Sequence, residues 1–458
     1  MTITFYKTKG DISKPTLVIT AKKLKNQNTF GEVISVGTNI IQRKDDAYLK
    51  FNCNVKIVDM IMGSGKTTSA INYINQADSS EKFLFITPYL DEVDRIKKSC
   101  PFKNFKEPKE MGTKLNGIKY LIGQGDNIVS THALFQRFDN EVIDMCRAQN
   151  YTLIMDEVTD VVERYDISKE DFKILQDNFV DIDEETGLLR WRNPDDDYYG
   201  KFSEEKRLCE LNCLAYYSGS VMMWLFPIEA FNAFKNIYIL TYMFDSQIQR
   251  YYYDYYKLPY TYIYVAGDDI SNYHFTSDES EKQHNNYNFK NLIHILEDEK
   301  MNLIGDREYD LSKNWYIRNK DNIVMKQLKN NLENYFRNKR KSKTKENLWT
   351  TFVDFKSQLS SKGYGRAFIS INMRASNKYR DRTSIAYPVN RYINTGVKNF
   401  FIKHDVQTDE DGFALSEMLQ FIWRSAIRDG KEIWIYIPSV RMRSLLKQWI
   451  NENSLENK

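Results

Sequence analysis

The chain has 458 residues, of which 42% are hydrophobic and 14% aromatic, so it is long enough to form two or three domains with buried cores. The chain has 65 Lys and Arg residues against 62 Asp and Glu residues. With charges so balanced, the net charge does not identify a nucleic-acid-binding protein, and any surface that binds nucleic acid must be a local patch. The five scattered cysteines, the polar first residues and the lack of an apolar run of roughly 18 residues predict a cytoplasmic protein without disulfides or a membrane span.

Short apolar runs alternate with amphipathic segments from Val55 to Thr241, a pattern that predicts a first α/β domain with a parallel sheet. Strands are predicted at 55–59, 83–87, 127–130, 151–155 and 237–241, and helices at 67–76, after Pro88 and at 228–236. The acidic, turn-rich stretch within residues 166–220 predicts an insertion on this sheet. A second α/β pattern follows, with strands at 367–371 and 432–437, a helix at 413–427 and a last helix from Ser439 to about Ile450.

The resulting division has four parts: an N-terminal segment at 1–50, a first domain at 51–255, a linker or accessory region at 256–345 and a second domain at 346–458. Two segments stay open. The tyrosine-dense stretch 250–264 predicts either a strand pair or linker that packs aromatics, or a surface on which bases stack. The basic run 337–345 is either a solvated helix end or a patch that contacts phosphates.

A glycine-rich loop follows the first predicted strand and precedes a helix, the context of a phosphate-binding P-loop. Backbone N–H groups of such a loop and the dipole of the following helix attract phosphate oxygens. We expect Lys66 to reach the β and γ phosphates of ATP and the Thr67 hydroxyl to ligate Mg²⁺. The first glycine of the general pattern is replaced by Met60. The predicted nucleotide-binding residues of this loop are Gly63, Ser64, Gly65, Lys66, Thr67 and Thr68.

A pair of carboxylates, Asp156 and Glu157, ends the predicted strand 151–155. Ligands bind at the carboxyl ends of strands in open α/β sheets. We therefore expect Asp156 to hold Mg²⁺ together with Thr67, and Glu157 to orient and deprotonate the attacking water.

In the C-terminal half of the chain, the predicted helix that begins at Phe413 carries Gln420, Arg424 and Arg428, and this set resembles motif VI of superfamily-2 helicases. The resemblance implies an α/β fold of two RecA-like P-loop domains with parallel sheets, an insertion in the first and a linker region between them. It also implies that Gln420 contacts the nucleotide and that Arg424 or Arg428 is an arginine finger. Trp423 stands where the family has glycine, and the arginines are spaced by four residues where three is usual.

Looser matches follow the order of the helicase motifs, and at each of them an ordinary polar loop is an equal alternative. The segment 239–245 resembles motif III, in which Thr241 would link the ATP state to domain closure. The residues that the resemblance places on nucleic acid are Thr87, Thr131, His132, Arg374, Asn377 and Arg380.

Together these motifs predict an ATP- and Mg²⁺-dependent helicase or translocase that acts on nucleic acid, DNA more than RNA. The nearest general resemblance is to phage and viral replication helicases of the origin-binding type, which implies phage replication or recombination, replication proteins as partners and the host cytoplasm. Two alternatives remain: a terminase-like ATPase that packages phage DNA, and an ATP-gated switch that acts on proteins.

Overall fold

The structure is a computed structural model that describes residues 40–41, 49–88, 90–184, 186–219, 221–283, 287–371 and 377–454. Most of the expected N-terminal segment 1–50 lies outside the described residues, and within it Ile40–Ile41 pairs antiparallel with Leu49–Lys50. The described residues from Ile40 onward form one compact unit. Two parallel sheets organise this unit, and we refer to the parts built on them as the first lobe and the second lobe.

The first lobe is built on a seven-stranded sheet. Across the sheet the strands are His274–Thr276, Tyr260–Ala266, Asn54–Asp59, Asn236–Thr241, Thr152–Asp156, Phe83–Thr87 and Ile128–Thr131. All neighbours are parallel except the edge strand His274–Thr276. The five strands predicted for this part are confirmed, with their ends shifted by at most one residue. Because the P-loop strand Asn54–Asp59 is parallel to both of its neighbours, the carboxyl ends of the three strands lie along one edge of the sheet.

Helices cover both faces of this sheet, which is why its strands consist of continuous apolar residues; every residue of Phe83–Thr87 is buried. Burying one such side chain contributes about 1.5–3 kcal/mol. The helices are Lys66–Gln76, Leu90–Ser99, Lys114–Gln124, His132–Phe135, Asn140–Gln149, Ile228–Asn232 and Ile248–Tyr256. All five cysteines are buried free thiols.

The tyrosine-dense stretch forms the helix Ile248–Tyr256 and the strand Tyr260–Ala266. Tyr251, Tyr252 and Tyr253 are fully buried, and the Tyr252 hydroxyl donates to the Phe226 carbonyl at 2.5 Å. The alternative of a base-stacking surface is therefore wrong at these three side chains, because their rings form core.

An insertion follows the strand Thr152–Asp156. Its three-stranded antiparallel sheet contains Leu214–Ser218, Val221–Leu225 and Val162–Tyr165, and beside it lies the hairpin Val180–Ile182 with Leu189–Trp191. Its helices are Lys169–Asn178 and Ser203–Glu210. The expected range 166–220 was too short, because the flanking strands Val162–Tyr165 and Val221–Leu225 pair with each other.

The second lobe is built on four parallel strands in the order Ile293–Ile295, Ile433–Tyr436, Ser384–Ala386, Asn347–Trp349. The strand predicted at 432–437 is confirmed. The strand predicted at 367–371 is wrong: only Phe368 makes a bridge, to Trp349, and the segment runs beside the sheet. The helices of this part of the chain are Phe289–Leu292, Glu299–Asn302, Lys313–Asn319, Ile323–Asn334, Lys356–Leu359, Thr395–Lys403, Glu410–Ile422 and Val440–Asn453.

The expected linker at 256–345 is instead divided between the two sheets. Tyr260–Ala266 pairs with the P-loop strand, and Ile293–Ile295 pairs with Ile433–Tyr436. Tyr316 and Tyr335 are buried in the second lobe. The polar composition of this segment gave no sign that it contributes to a core. The basic run 337–345 begins within a π-helical turn, Tyr335–Lys339, and its contact with phosphates stays a prediction.

The chain also crosses between lobes. Thr395–Lys403 follows strands of the second sheet, yet Val397, Phe400 and Phe401 are buried in the core of the first lobe. None of the helices in the described part of the chain combines the length and the apolar character that crossing a membrane requires.

Candidate nucleotide-binding site

The loop after Asp59 has the backbone of a phosphate cradle. Gly63 has φ 88° and Gly65 φ 82°, in the left-handed region that favours glycine, and Gly65 is the N-cap of the helix Lys66–Gln76. Phosphate oxygens are attracted to such a helix start by its free N–H groups and dipole. The Lys66 ammonium is buried and donates to the carbonyls of Met60 and Ile61, the latter at 3.0 Å.

Met60 replaces the usual first glycine and has a different task. Its side chain is 3% exposed, and its sulfur accepts the Val265 N–H at 3.0 Å. The residue therefore anchors the start of the loop to the neighbouring strand Tyr260–Ala266.

The predicted magnesium ligands lie together. The Thr67 hydroxyl donates to Asp156 Oδ1 at 3.2 Å, across the intervening strand Asn236–Thr241. Burial raises the pKa of Asp156 to about 7, and repulsion from Glu157 and Glu92 adds to the rise. A hydroxyl and a carboxylate whose charge is poorly compensated are a fitting ligand set for a hard cation such as Mg²⁺.

Glu157 is held by the strand next to it. Its backbone is left-handed, with φ 72°, and its N–H donates to the Leu240 carbonyl at 2.9 Å. The Thr241 hydroxyl donates to Glu157 Oε2 at 3.3 Å, and Gln247 Nε2 donates to that hydroxyl at 3.1 Å. The motif III-like segment therefore contacts the predicted general base directly.

Both lobes contribute to one cleft at this edge. The residues that line it are Met62, Gly63, Gly65, Lys66, Thr67, Thr68, Pro88, Glu92, Arg95, Asp156, Glu157, Gln420, Trp423, Arg424 and Arg428. Every residue predicted to act in catalysis or nucleotide binding is among them except Ser64, whose N–H donates to the Ile61 carbonyl at 3.3 Å. The structure thus brings the P-loop, the two carboxylates and the motif VI-like segment together.

The helix predicted at 413–427 instead ends at Ile422, so neither candidate finger lies on it. Arg424 is 3% exposed and donates to the Ser370 carbonyl at 3.4 Å and the Ile371 carbonyl at 3.3 Å. Arg428 lies in the following 3-10 turn and is half-buried. Burial and the neighbouring Arg380 lower the pKa of Arg428, while Glu92 and Asp156 attract its charge.

Sequence reasoning missed two cleft residues on the helix Leu90–Ser99. Arg95 Nη1 lies 3.0 Å from Glu92 Oε2, and both side chains line the cleft. A signal was present, because this helix starts at the carboxyl end of the strand Phe83–Thr87, the edge at which ligands bind.

The predicted nucleic-acid residues are dispersed. Thr87 is fully buried and His132 is 7% exposed, with His132 Nε2 bonded to the Asp156 carbonyl at 3.1 Å. These two side chains support strand ends from inside, so the expectation that they touch a polymer is wrong in this conformation. Thr131 is half-buried, Arg374 lies outside the described residues, Asn377 begins a 3-10 turn, and Arg380 pairs with Asp429.

The fold and site define a P-loop protein, and a family match to its first part supports a helicase-like protein of superfamily 2. Residues 16–170, which contain the P-loop and both carboxylates, match the family described as type III restriction enzyme, res subunit. Residues 162–224 match the YonV middle domain, and residues 287–450 match the YonV C-terminal Rossmann-like domain.

A relative matches over nearly its whole length. The chain is 43% identical over 409 residues to the SPbeta prophage-derived uncharacterized protein YonV of Bacillus subtilis strain 168, covering 86% of this chain and 98% of that protein. The chain therefore belongs to the YonV family.

Two solved structures are similar at low identity. Xpd4 of S. tokodaii has a TM-score of 0.42 and 10% identity, covering 87% of this chain and 94% of that chain. The DUF1998 helicase MrfA, bound to DNA and AMPPNP, has a TM-score of 0.32 and 8% identity, covering 88% of this chain and 49% of that chain. Both scores are below 0.5, so these similarities add nothing to the fold that the two sheets define.

Proposed function

We propose that the chain is an ATP hydrolase whose two lobes are the RecA-like domains of a helicase or translocase, acting on nucleic acid and on DNA in preference to RNA. One observation carries the proposal: Lys66, Asp156 and Glu157 of the first lobe line the same cleft as Arg428 of the second. Hydrolysis in such a cleft depends on how the lobes meet, which is how ATP can drive movement.

In this mechanism Lys66 binds the β and γ phosphates, and the loop N–H groups hold their oxygens. Thr67 and Asp156 would hold Mg²⁺, which neutralises charge on the phosphates. Glu157 orients the attacking water and accepts its proton. The left-handed backbone of Glu157 and its bond from Thr241 fix the carboxylate for that task.

Arg428 is the finger in this proposal. Its guanidinium is half-buried in the cleft, within the field of Asp156, and can compensate charge on the γ phosphate. Arg424 has donors engaged with the carbonyls of Ser370 and Ile371, so it shapes the wall of the cleft.

The match to the res subunit family supports a nucleic-acid substrate, and the prophage-derived relative supports a place in phage-type replication or recombination. The terminase alternative requires a nuclease metal centre. Among the described residues, no group of three or more His, Cys, Asp or Glu side chains is placed to hold a metal ion. Experiment distinguishes the other alternative, an ATP-gated switch that acts on proteins, from a motor that acts on nucleic acid.

The test is ATP hydrolysis by the purified full chain, alone and with single-stranded DNA, duplex DNA or RNA. We expect one polymer to stimulate turnover, Lys66→Ala to abolish it and the exposed Lys98→Ala to retain it. Hydrolysis that no polymer changes would move the assignment to a protein-directed switch. Equal turnover by Lys66→Ala and the unchanged protein would refute the ATPase.

A further inference from the structure

An aromatic side chain lies against the outer side of the phosphate loop. A Cβ built on Gly65 would lie 2.5 Å from Cδ2 and 2.6 Å from Cε2 of Tyr273, so only glycine leaves room for the ring. Tyr273 immediately precedes the edge strand His274–Thr276 and is half-buried. None of the functions assigned above uses it.

The ring is held from two sides. Asn72 Nδ2, on the P-loop helix, donates to the carbonyls of Tyr273 at 2.9 Å and Ile270 at 3.1 Å. Gln283 Nε2 donates to the Tyr273 hydroxyl at 2.8 Å. The Asn72 bonds fix the backbone of this surface loop to the helix that begins at the phosphates, and the Gln283 bond holds the hydroxyl end of the ring.

The ring lies beside the face of the P-loop helix along which a bound nucleotide could extend. Gly65, Thr68 and Asn72 recur at three- and four-residue spacing, so they share one face of the P-loop helix. Thr68 lines the cleft at the start of this face, and Tyr273 is fixed to its two other members. Tyr273 is not among the residues that line the cleft, so a nucleoside would meet its ring by extending from the cleft past Thr68 along this face.

Gln283 adds a polar feature. Its amide nitrogen is engaged by Tyr273, whereas its Oε1 is buried and has no hydrogen-bond partner. A buried acceptor without a donor is unfavourable unless a ligand or water supplies one. The exocyclic amino group of adenine is a donor of the required kind.

We infer that Tyr273 is the platform on which the base of ATP stacks and that Gln283 accepts a hydrogen bond from its amino group. This inference rests on the proposed ATP site and names how that site selects its nucleotide. Trp423, the aromatic residue in the lining of the described cleft, is 4% exposed and packs on Phe289 and Trp449, so it is committed to the core of the second lobe.

The test compares binding of Mg²⁺-ADP with that of Mg²⁺-pyrophosphate, by calorimetry on the full chain. Base stacking on an aromatic side chain corresponds to about a tenfold change in affinity or more. We expect Tyr273→Leu, which keeps an apolar side chain beside Gly65, to weaken ADP about tenfold and leave pyrophosphate unchanged. Tyr273→Phe should retain most of the ADP affinity. Tyr264→Leu, a matched change on the neighbouring strand, should alter neither ligand.

Inosine diphosphate, which lacks the amino group, tests Gln283. We expect the unchanged protein to bind ADP more tightly than inosine diphosphate, and Gln283→Met to lose that preference. Equal weakening of ADP and pyrophosphate by Tyr273→Leu would mean that the ring only supports the loop, and no weakening of either would also overturn the inference. A protein that binds ADP in this pattern but does not hydrolyse ATP would leave the inference standing and sink the proposed function.

Discussion

Ser246 Oγ donates a 2.7 Å hydrogen bond to Asp409 Oδ2, and this bond joins the loop after the strand Asn236–Thr241 to the helix Glu410–Ile422. Asp409 is the N-cap of that helix, and its other oxygen accepts the Gly412 N–H at 2.9 Å. The contact is close, because a Cβ on Gly412 would lie 2.1 Å from Ser246 Oγ. The helix that presents Gln420 to the cleft is therefore fixed to the first lobe at its opposite end.

On its other side the same loop is bonded to the P-loop strand. The Asp59 carboxylate accepts the N–H groups of Met243 at 2.7 Å and Phe244 at 2.9 Å. Burial raises the pKa of Asp59, and these two bonds oppose the rise. Two carboxylates thus connect the base of the phosphate loop to the second lobe through one short segment.

We predict that Ser246→Ala lowers the turnover number for ATP severalfold and leaves ADP affinity unchanged, because it loosens the second lobe without altering the loop that binds phosphates. The free energy of unfolding should fall by about 1 kcal/mol for the lost bond. Steady-state kinetics and chemical denaturation measure both. Asp139→Ala removes a comparable N-cap from the helix Asn140–Gln149, so it should lose similar stability and keep its turnover. Equal turnover losses in the two variants would contradict coupling through Ser246.

Alanine substitutions at Arg424 and Arg428 should have different effects, one on stability and the other on turnover. Arg424→Ala removes a buried guanidinium bonded to carbonyls, and we expect it to lower the free energy of unfolding by about 2–3 kcal/mol. Arg428→Ala should leave unfolding nearly unchanged and lower the turnover number by about 10³-fold, the loss typical of a missing arginine finger. Thermal unfolding and ATPase assays on both variants provide the comparison. The reverse pattern would assign the finger to Arg424.

Sequence patterns predicted the first lobe because its signals are local. Five buried strands such as Phe83–Thr87 read as continuous apolar runs, and the loop around Gly65 needs glycine for its backbone. The second sheet was harder, since Asn347–Trp349 and Ser384–Ala386 are only three residues long. So short a strand carries no periodicity and is defined by its neighbours.

The sequence predicted the residues of the candidate site that motifs and strand order define, but not those whose position depends on tertiary packing. Lys66, Thr67 and Asp156 follow from motif and strand order. The end of the helix at Ile422 does not, because Trp423 continues an apolar periodicity while its ring is taken up by Trp449. Because the helix ends there, the Arg424 side chain is directed into the core, whereas Arg428 lies at the cleft.

Asp156 predicts a pH dependence of stability. Its pKa is raised from 3.8 to about 7, so between these pH values the folded protein binds a proton that the unfolded chain has lost. The destabilisation caused by its buried charge is therefore absent below about pH 4, grows as pH rises and is complete above pH 7. Asp156→Asn should be more stable than the unchanged protein at pH 8, by at most about 4 kcal/mol, and of similar stability near pH 3.5, below the unfolded pKa of 3.8. Urea unfolding of both proteins measures the difference, and a difference independent of pH would refute the raised pKa.

Thr241 offers a test of how the general base is positioned. Gln247 Nε2 donates to its hydroxyl, and the hydroxyl proton has two acceptors within reach, Glu157 Oε2 at 3.3 Å and Gln247 Oε1 at 3.4 Å. Thr241→Val keeps the shape and removes the donor, so we expect the turnover number to fall about 10- to 100-fold, within the range that general-base catalysis supplies. The KM for ATP should stay the same, because the phosphate loop is untouched.

Thr241→Ser, which retains the hydroxyl, should recover most of that loss, and Glu157→Gln should bind ATP and hydrolyse it only at a low residual rate. A combined Thr241→Val and Glu157→Gln variant should be no slower than Glu157→Gln alone, since the hydroxyl acts only through the carboxylate. Additive losses in that cycle would show that Thr241 acts on ATP independently of Glu157. A loss that serine fails to recover would point to packing of the fully buried Thr241 side chain instead of its hydrogen bond.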